Sequence, residues 1–341
     1  MEKWQLRQRQ GLPLEIKIQM SLQRIDDWYQ HWDGKVYVSF SGGKDSTVLL
    51  DLVHQIHPDV EAVFADTGLE YPEVRETAKE YGAVFVKPTM NFKQVIKKYG
   101  YPVISKEQAD YIARMRRSPE SMAAFHEWIT TGKVTNPTDI FNKVILGKCK
   151  NGKDTKFRLA QKWYPLLDAP FDTAADCCTV MKKGPLKKYE RQTGKHPYIG
   201  ILACESKRRE QNYLKDGCNA FNLKRPQSRP MAFWTENDVL EYIYTRKLKI
   251  ASVYGEVIKT GDGLYKTTGC DRTGCVFCMF GCHLENEPNR FQKLQKTHPA
   301  IFDYCMRPTT EGGLGLAEVL DFINVPYTTN QLSLFDFMKE E

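Results

Sequence analysis

Hydrophobic positions change their period along the chain. Over the first 30 residues Leu14, Ile16, Ile18, Met20, Leu22, Ile25 and Trp28 recur among charged positions and predict a leading helix packed on a larger domain. Val36 to Phe40 then forms a β-branched and aromatic run, followed by a glycine turn. Residues 47–55 come next, with Val48, Leu49, Leu52 and Val53 on one helical face. Residues 60–64 predict a second strand, 71–81 a helix and 83–86 a third strand. Strands alternating with helices predict an α/β domain, a parallel sheet with helices on both faces. The rhythm breaks from Lys106 to about Tyr164, read as a partly helical insertion, and resumes with a strand at 197–202 and a helix at 237–244. The expected division is a helical segment at 1–30, the α/β domain at 31–250 with its insertion at about 106–164, a cysteine-rich segment at 251–307 and a tail at 308–341.

Composition narrows this picture. With 41% hydrophobic and 27% charged residues the chain is globular, and whole-chain disorder is excluded. No apolar run approaches the roughly 18 residues of a membrane span, and Met1 to Gln10 is charged with no apolar stretch after it. A cytoplasmic protein without a membrane partner is expected. The net charge of +7 is uneven: from Pro308 onward six acids meet one lysine, a net of −5, so the rest carries +12. That surplus favours phosphate-rich partners, nucleotides or nucleic acid. Of ten cysteines, Cys177 and Cys178 are adjacent and Cys270, Cys275, Cys278 and Cys282 fall within thirteen residues, a placement that points to metal ligands.

The first glycine turn carries the most chemistry. Ser39-Phe40-Ser41-Gly42-Gly43-Lys44-Asp45-Ser46 joins the first strand to its helix, where a parallel sheet offers backbone N–H groups and a helix N-terminus to an anion. Gly42 and Gly43 allow close backbone approach to phosphate, Lys44 adds positive charge, and the Ser41, Ser46 and Thr47 hydroxyls are available as donors.

Ser41 to Ser46 resembles the SGGxDS signature of PP-loop ATP pyrophosphatases, and other segments resemble the phosphoadenosine phosphosulfate (PAPS) reductase family in the same order. These are Asp66-Thr67-Gly68 with Tyr71-Pro72-Glu73, Cys177-Cys178 with Lys182, Lys183, Pro185 and Leu186, Gly200 to Ser206, Trp234-Thr235 with Asp238-Val239, and Gly274-Cys275-Val276-Phe277-Cys278. The resemblance implies a Rossmann-like PP-loop fold and an adenine nucleotide held by Ser39, Ser41, Gly42, Gly43, Lys44, Asp45, Ser46, Asp66, Thr67, Gly68, Glu205 and Arg208. Lys44, Asp45 and Asp66 are the expected catalytic residues, Asp66 beside the nucleotide's magnesium. Two departures matter: the phosphate loop is intact where reductases carry a degenerate one, and the chain lacks their ECGLH-like tail cysteine. The resemblance therefore favours ATP with Mg2+ and an activation or sulfur-transfer reaction, over reduction of an adenylyl sulfate-type nucleotide with an external thiol, or over a binding protein with a vestigial site.

For the cysteines the resemblance implies a 4Fe-4S cluster on Cys177, Cys178, Cys275 and Cys278. Local spacing leaves Cys270 and Cys282 as alternates, with zinc as the alternative metal. Near the C-terminus Gln331-Leu332-Ser333-Leu334-Phe335 resembles the pentapeptide that docks bacterial DNA proteins into the sliding clamp. It implies a clamp partner through Gln331, Leu332, Leu334 and Phe335, and DNA nearby.

Overall fold

Val36, Val38 and Phe40 point to one side of the first strand and Tyr37 to the other, and all four are buried, so this strand is covered on both faces. The computed structural model describes residues 1–329. Among these described residues are ten strands: β1 Val36–Phe40, β2 Ala62–Ala65, β3 Val84–Val86, β4 Val103–Ile104, β5 His196–Ile199, β6 Asn219–Ala220, β7 Gln227–Ser228, β8 Val257–Lys259, β9 Tyr265–Thr267 and β10 Met279–Phe280. The chain divides into two units, Met1–Thr89 with Met181–Cys275, and Met90–Val180 with Val276 to the C-terminus.

The first unit is built on a six-stranded sheet in the order β3-β2-β1-β5-β7-β6, parallel except for β6. Helix Lys44–His54 packs on β1 and against helices Leu14–His31 and Glu236–Arg246. Besides the four expected positions it buries Leu50, because neighbours cover more than one of its faces. On the other face helix Gly184–Thr193 lays Tyr189 against Tyr37 and Val63. The expected α/β architecture, a mostly parallel sheet with helices on both faces, is thus present. β8 and β9 form a separate antiparallel pair.

The leading segment is two helices, Lys3–Gln10 and Leu14–His31, because Gly11 and Pro13 interrupt the first. The strand expected at 197–202 stops at Ile199. Past Gly200 the chain turns into a 3-10 segment at Ala203–Glu205.

In the second unit, helices Phe92–Tyr99, Lys106–Arg116, Pro119–Thr131, Arg290–Thr297, Pro299–Met306 and Leu316–Phe322 surround the short parallel pair β4 and β10. Its core includes Val103, Ile112, Phe141, Met279, Phe291 and Leu316. No helix among the described residues is long and apolar enough to cross a membrane.

Candidate functional site

β2 and β5 flank β1 on opposite sides, so the loops leaving the carboxyl ends of β1 and β5 diverge at a switch point, where open parallel sheets form a crevice. Those two loops line a cavity of about 630 Å³. From the first come Ser41, Gly43, Lys44 and Asp45, and from the second Leu202, Cys204, Glu205 and Arg209.

The glycine loop after β1 is held by its own short contacts. Gly42 has φ +69°, and a Cβ there would lie 2.6 Å from the Val74 carbonyl oxygen, so only glycine fits. The Ser46 hydroxyl accepts from the Ser41 N–H at 3.1 Å and donates to the Gly43 carbonyl at 2.9 Å, to which Thr47 also donates at 3.1 Å. Ser46 and Thr47 therefore spend their protons inside the loop instead of facing an anion. Helix Lys44–His54 begins at Gly43 without a cap from the Gly43 position, so its first N–H groups look outside the helix for partners. The Lys44 N–H is 3.3 Å from the Tyr254 hydroxyl.

Lys44 is buried, and its ammonium donates to Glu236 Oε1 and to the Asp271 carbonyl, each at 2.7 Å. Burial pushes the Asp45 carboxyl above the ordinary range, with Lys44 and Arg272 opposing and Glu236 adding to the rise. Glu205 accepts from the Leu202 N–H at 3.1 Å, pairs with Arg209, and lies 4.0 Å from Arg272. It anchors two arginines at the cavity, a role that suits a carboxylate better than direct contact with phosphate. Arg208 is exposed and does not line the cavity; its neighbour Arg209 does, because consecutive positions on helix Lys207–Asp216 face different ways. Burial lowers the Arg209 pKa, and Arg272 lowers it further. Cys204 also lines the cavity, its thiol 3.7 Å from the Trp234 carbonyl and raised in pKa by burial.

Ser39, Asp66, Thr67 and Gly68 are not among the lining residues. Asp66 is buried, and both its oxygens accept from Arg75, from Nε and Nη2 at 3.1 Å each. Thr67 donates to Glu70 at 2.8 Å, and Gly68 takes φ +72° in the turn. Glu236, Asn237, Tyr254, Arg272 and Thr273 join the cavity without having been expected. Arg272 and Thr273 fall between Cys270 and Cys275, and nothing in their spacing along the chain marks them as neighbours of the glycine loop.

The cysteines are distributed over both units. Cys177 and Cys178 have their sulfurs 4.0 Å apart, and Cys278 of the same unit is close enough to Cys178 to feel its charge. Burial raises the Cys278 thiol pKa, with Arg290 opposing. Cys282 is buried, donates to the Met279 carbonyl at 3.0 Å, and is pushed up to about 12. Cys270 lies in the first unit and is raised by burial to about 11. Cys177, Cys178 and Cys278 thus bring thiols near one another, the donor type a cluster takes. Among the described residues, however, no three or more His, Cys, Asp or Glu side chains are gathered in the geometry of a metal site. The expected clamp contacts Gln331, Leu332, Leu334 and Phe335 lie outside the described residues.

Residues 35–134 and 146–279 match the phosphoadenosine phosphosulfate reductase domain. The chain is 26% identical over 189 residues to an adenosine 5'-phosphosulfate reductase of Staphylococcus epidermidis, covering 52% of this chain and 73% of that one. A reductase of the same name from Anoxybacillus flavithermus is 26% identical over 273 residues, 79% of this chain and 85% of the relative. Among solved structures, the phosphate complex of phosphoadenylyl-sulfate reductase from Candida auris aligns at 14% identity and TM-score 0.33, covering 68% of this chain and 82% of its own. With the family domain matched over more than half its length, this chain belongs to the phosphoadenosine phosphosulfate reductase family.

Proposed function

We propose that the protein binds ATP in the first-unit cavity and uses it to activate an acceptor, in a reaction coupled to sulfur transfer. The observation that carries the reading is the helix N-terminus that follows Gly43, set in an intact SGGKDS loop and opening on a cavity where Lys44, Arg209 and Arg272 stand ready to exchange the Glu205 and Glu236 carboxylates for phosphate. In this reading an acceptor oxygen attacks the α-phosphorus of ATP, the bond to the β-phosphate oxygen breaks, and pyrophosphate leaves against the loop. Lys44 exchanges Glu236 for the departing phosphate charge. Asp66 serves magnesium only by giving up Arg75.

A 4Fe-4S cluster is proposed on Cys177, Cys178 and Cys278 of the second unit, with Cys282 of the same unit as an alternate and zinc as the competing metal. When bound, such a cluster supplies electrons or positions sulfur. An acceptor on DNA, reached through the sliding clamp, is the further expectation from the C-terminal pentapeptide.

The test begins with anaerobic purification and metal analysis, followed by an ATP-to-pyrophosphate assay on the same sample. Pyrophosphate release that Lys44→Ala reduces by roughly 100-fold or more, the scale of one lost electrostatic contact to developing charge, is expected. Undiminished turnover in Lys44→Ala would sink the reading. Iron that Cys177→Ser and Cys278→Ser lose supports the cluster, and zinc or no metal overturns it.

The relatives' names favour a second reading, reduction of adenosine 5'-phosphosulfate. There a dithiol partner supplies two electrons, the sulfur–oxygen bond to AMP breaks, and sulfite and AMP leave. Sulfite release without ATP turnover selects it.

A further inference from the structure

Basic residues of the second unit gather on one short hairpin that neither the cavity nor the cysteine set uses. Residues 143–162 carry seven lysines and arginines against one acid, Asp154. Backbone bonds close the segment on itself: Cys149 N–H to the Lys153 carbonyl, Gly152 N–H to Cys149, Thr155 N–H to Gly147 and Leu159 N–H to Val144, each at 2.8 Å. Val144, Ile145 and Leu159, fully buried, anchor its base.

The tip therefore stands in water with a fixed shape. Lys148, Lys150, Lys153, Lys156 and Arg158 are all exposed. Lys148 and Lys150 pair with exposed Asp154 and Asp139 at 2.6 Å each, contacts too solvated to cancel the local field. Lys153, Lys156 and Arg158 have no carboxylate partner among the described residues. Among these cations Phe157 keeps 42% of its surface exposed, with Lys143 Nζ 4.8 Å from its ring centroid and Tyr111 edge-on at 6.1 Å.

An exposed ring held among unpaired cations fits one partner chemistry. A single-stranded nucleic acid brings a phosphate per nucleotide to the cations and an unstacked base to the ring. A duplex brings the phosphates but keeps its bases stacked, and an acidic peptide brings charge without a base. We infer that the 143–162 hairpin is a binding surface for single-stranded nucleic acid. The inference does not depend on the chemistry of the nucleotide cavity, which lies in the other unit.

Titration of the full chain with fluorescent oligothymidylate, read by anisotropy over a range of salt, tests it. If Lys143, Lys153, Lys156 and Arg158 each neutralise a phosphate, log K falls against log salt with a slope of about −3. Combining Lys153→Glu, Lys156→Glu and Arg158→Glu should weaken binding by about tenfold or more. Phe157→Ala should weaken it by about fivefold or more. Those side chains are exposed, so thermal melting stays unchanged, which separates lost contact from lost fold. Lys44→Ala should bind the oligonucleotide as the unaltered protein does, so loss of ATP turnover and loss of this surface are read apart. Parallel titration with oligouridylate tells whether RNA serves as well as DNA; binding of either supports the inference and binding of neither overturns it. Equal affinity for polyglutamate or a duplex, a salt-independent affinity, or unaltered binding by the triple variant would overturn it too.

Discussion

Asp45 stands at the start of a helix in the first-unit cavity, and burial holds its carboxyl pKa above the ordinary range. A carboxyl raised in the folded chain keeps its proton where the unfolded chain has lost it. Its contribution to stability is full below the unfolded value and is lost as pH rises through the folded value. Asp45→Asn should therefore raise the melting temperature at neutral pH, and the gain should vanish as the pH falls below the ordinary carboxylate range. Thermal scans from acid to neutral pH check this; a gain independent of pH would refute the titration argument. The same variant should lose pyrophosphate release, as expected where a strained site trades stability for activity. Gly43, Lys44 and Asp45, which line the cavity together, were legible as one loop because they are neighbours along the chain. Glu236, Tyr254 and Arg272 were not, since about 190 residues or more separate each from the loop it meets.

Trp234-Thr235 with Asp238-Val239 shows how an element-level motif acquires a physical meaning. Thr235 caps helix Glu236–Arg246 by accepting from the Asp238 N–H at 3.2 Å, and the Asp238 carboxylate accepts from the Thr235 N–H at 2.6 Å. Asp238 also takes both oxygens to the buried Lys17 ammonium, at 2.8 and 2.7 Å, while Trp234 donates to Ser21 at 2.9 Å. The motif thus ties this helix to helix Leu14–His31 and sets the covering of one sheet face. Lys17→Met leaves a buried carboxylate without its cation, and a loss of about 3–5 kcal/mol is expected by chemical denaturation. A change within about 0.5 kcal/mol would show that Asp238 finds other compensation. The helices within the supposed insertion were only partly legible. Ser105 and Ser118 cap Lys106–Arg116 and Pro119–Thr131, but clustered arginines obscured the apolar face that packs them.

At the scale of the whole molecule, the second unit draws on two distant stretches, 90–180 and the residues from 276 onward. β4 has only β10 as its partner among the described residues, and Tyr101 donates to the Leu314 carbonyl at 2.9 Å. A chain ending at residue 275 removes both supports. Limited proteolysis of that truncated chain should cut within 90–180 while the sheet of the first unit resists, because a two-stranded pair cannot persist without its neighbour. Protection of 90–180 would show that this stretch folds unaided. The sequence by itself determined the alternation of strands and helices and the glycine loop after the first strand, since each depends on residues close in the chain. Tertiary structure alone decided that Arg209 and not Arg208 meets the cavity, that Asp66 is held by Arg75, and which cysteines share a unit. Those outcomes depend on how helices face and where distant segments meet, and spacing along a chain does not encode either.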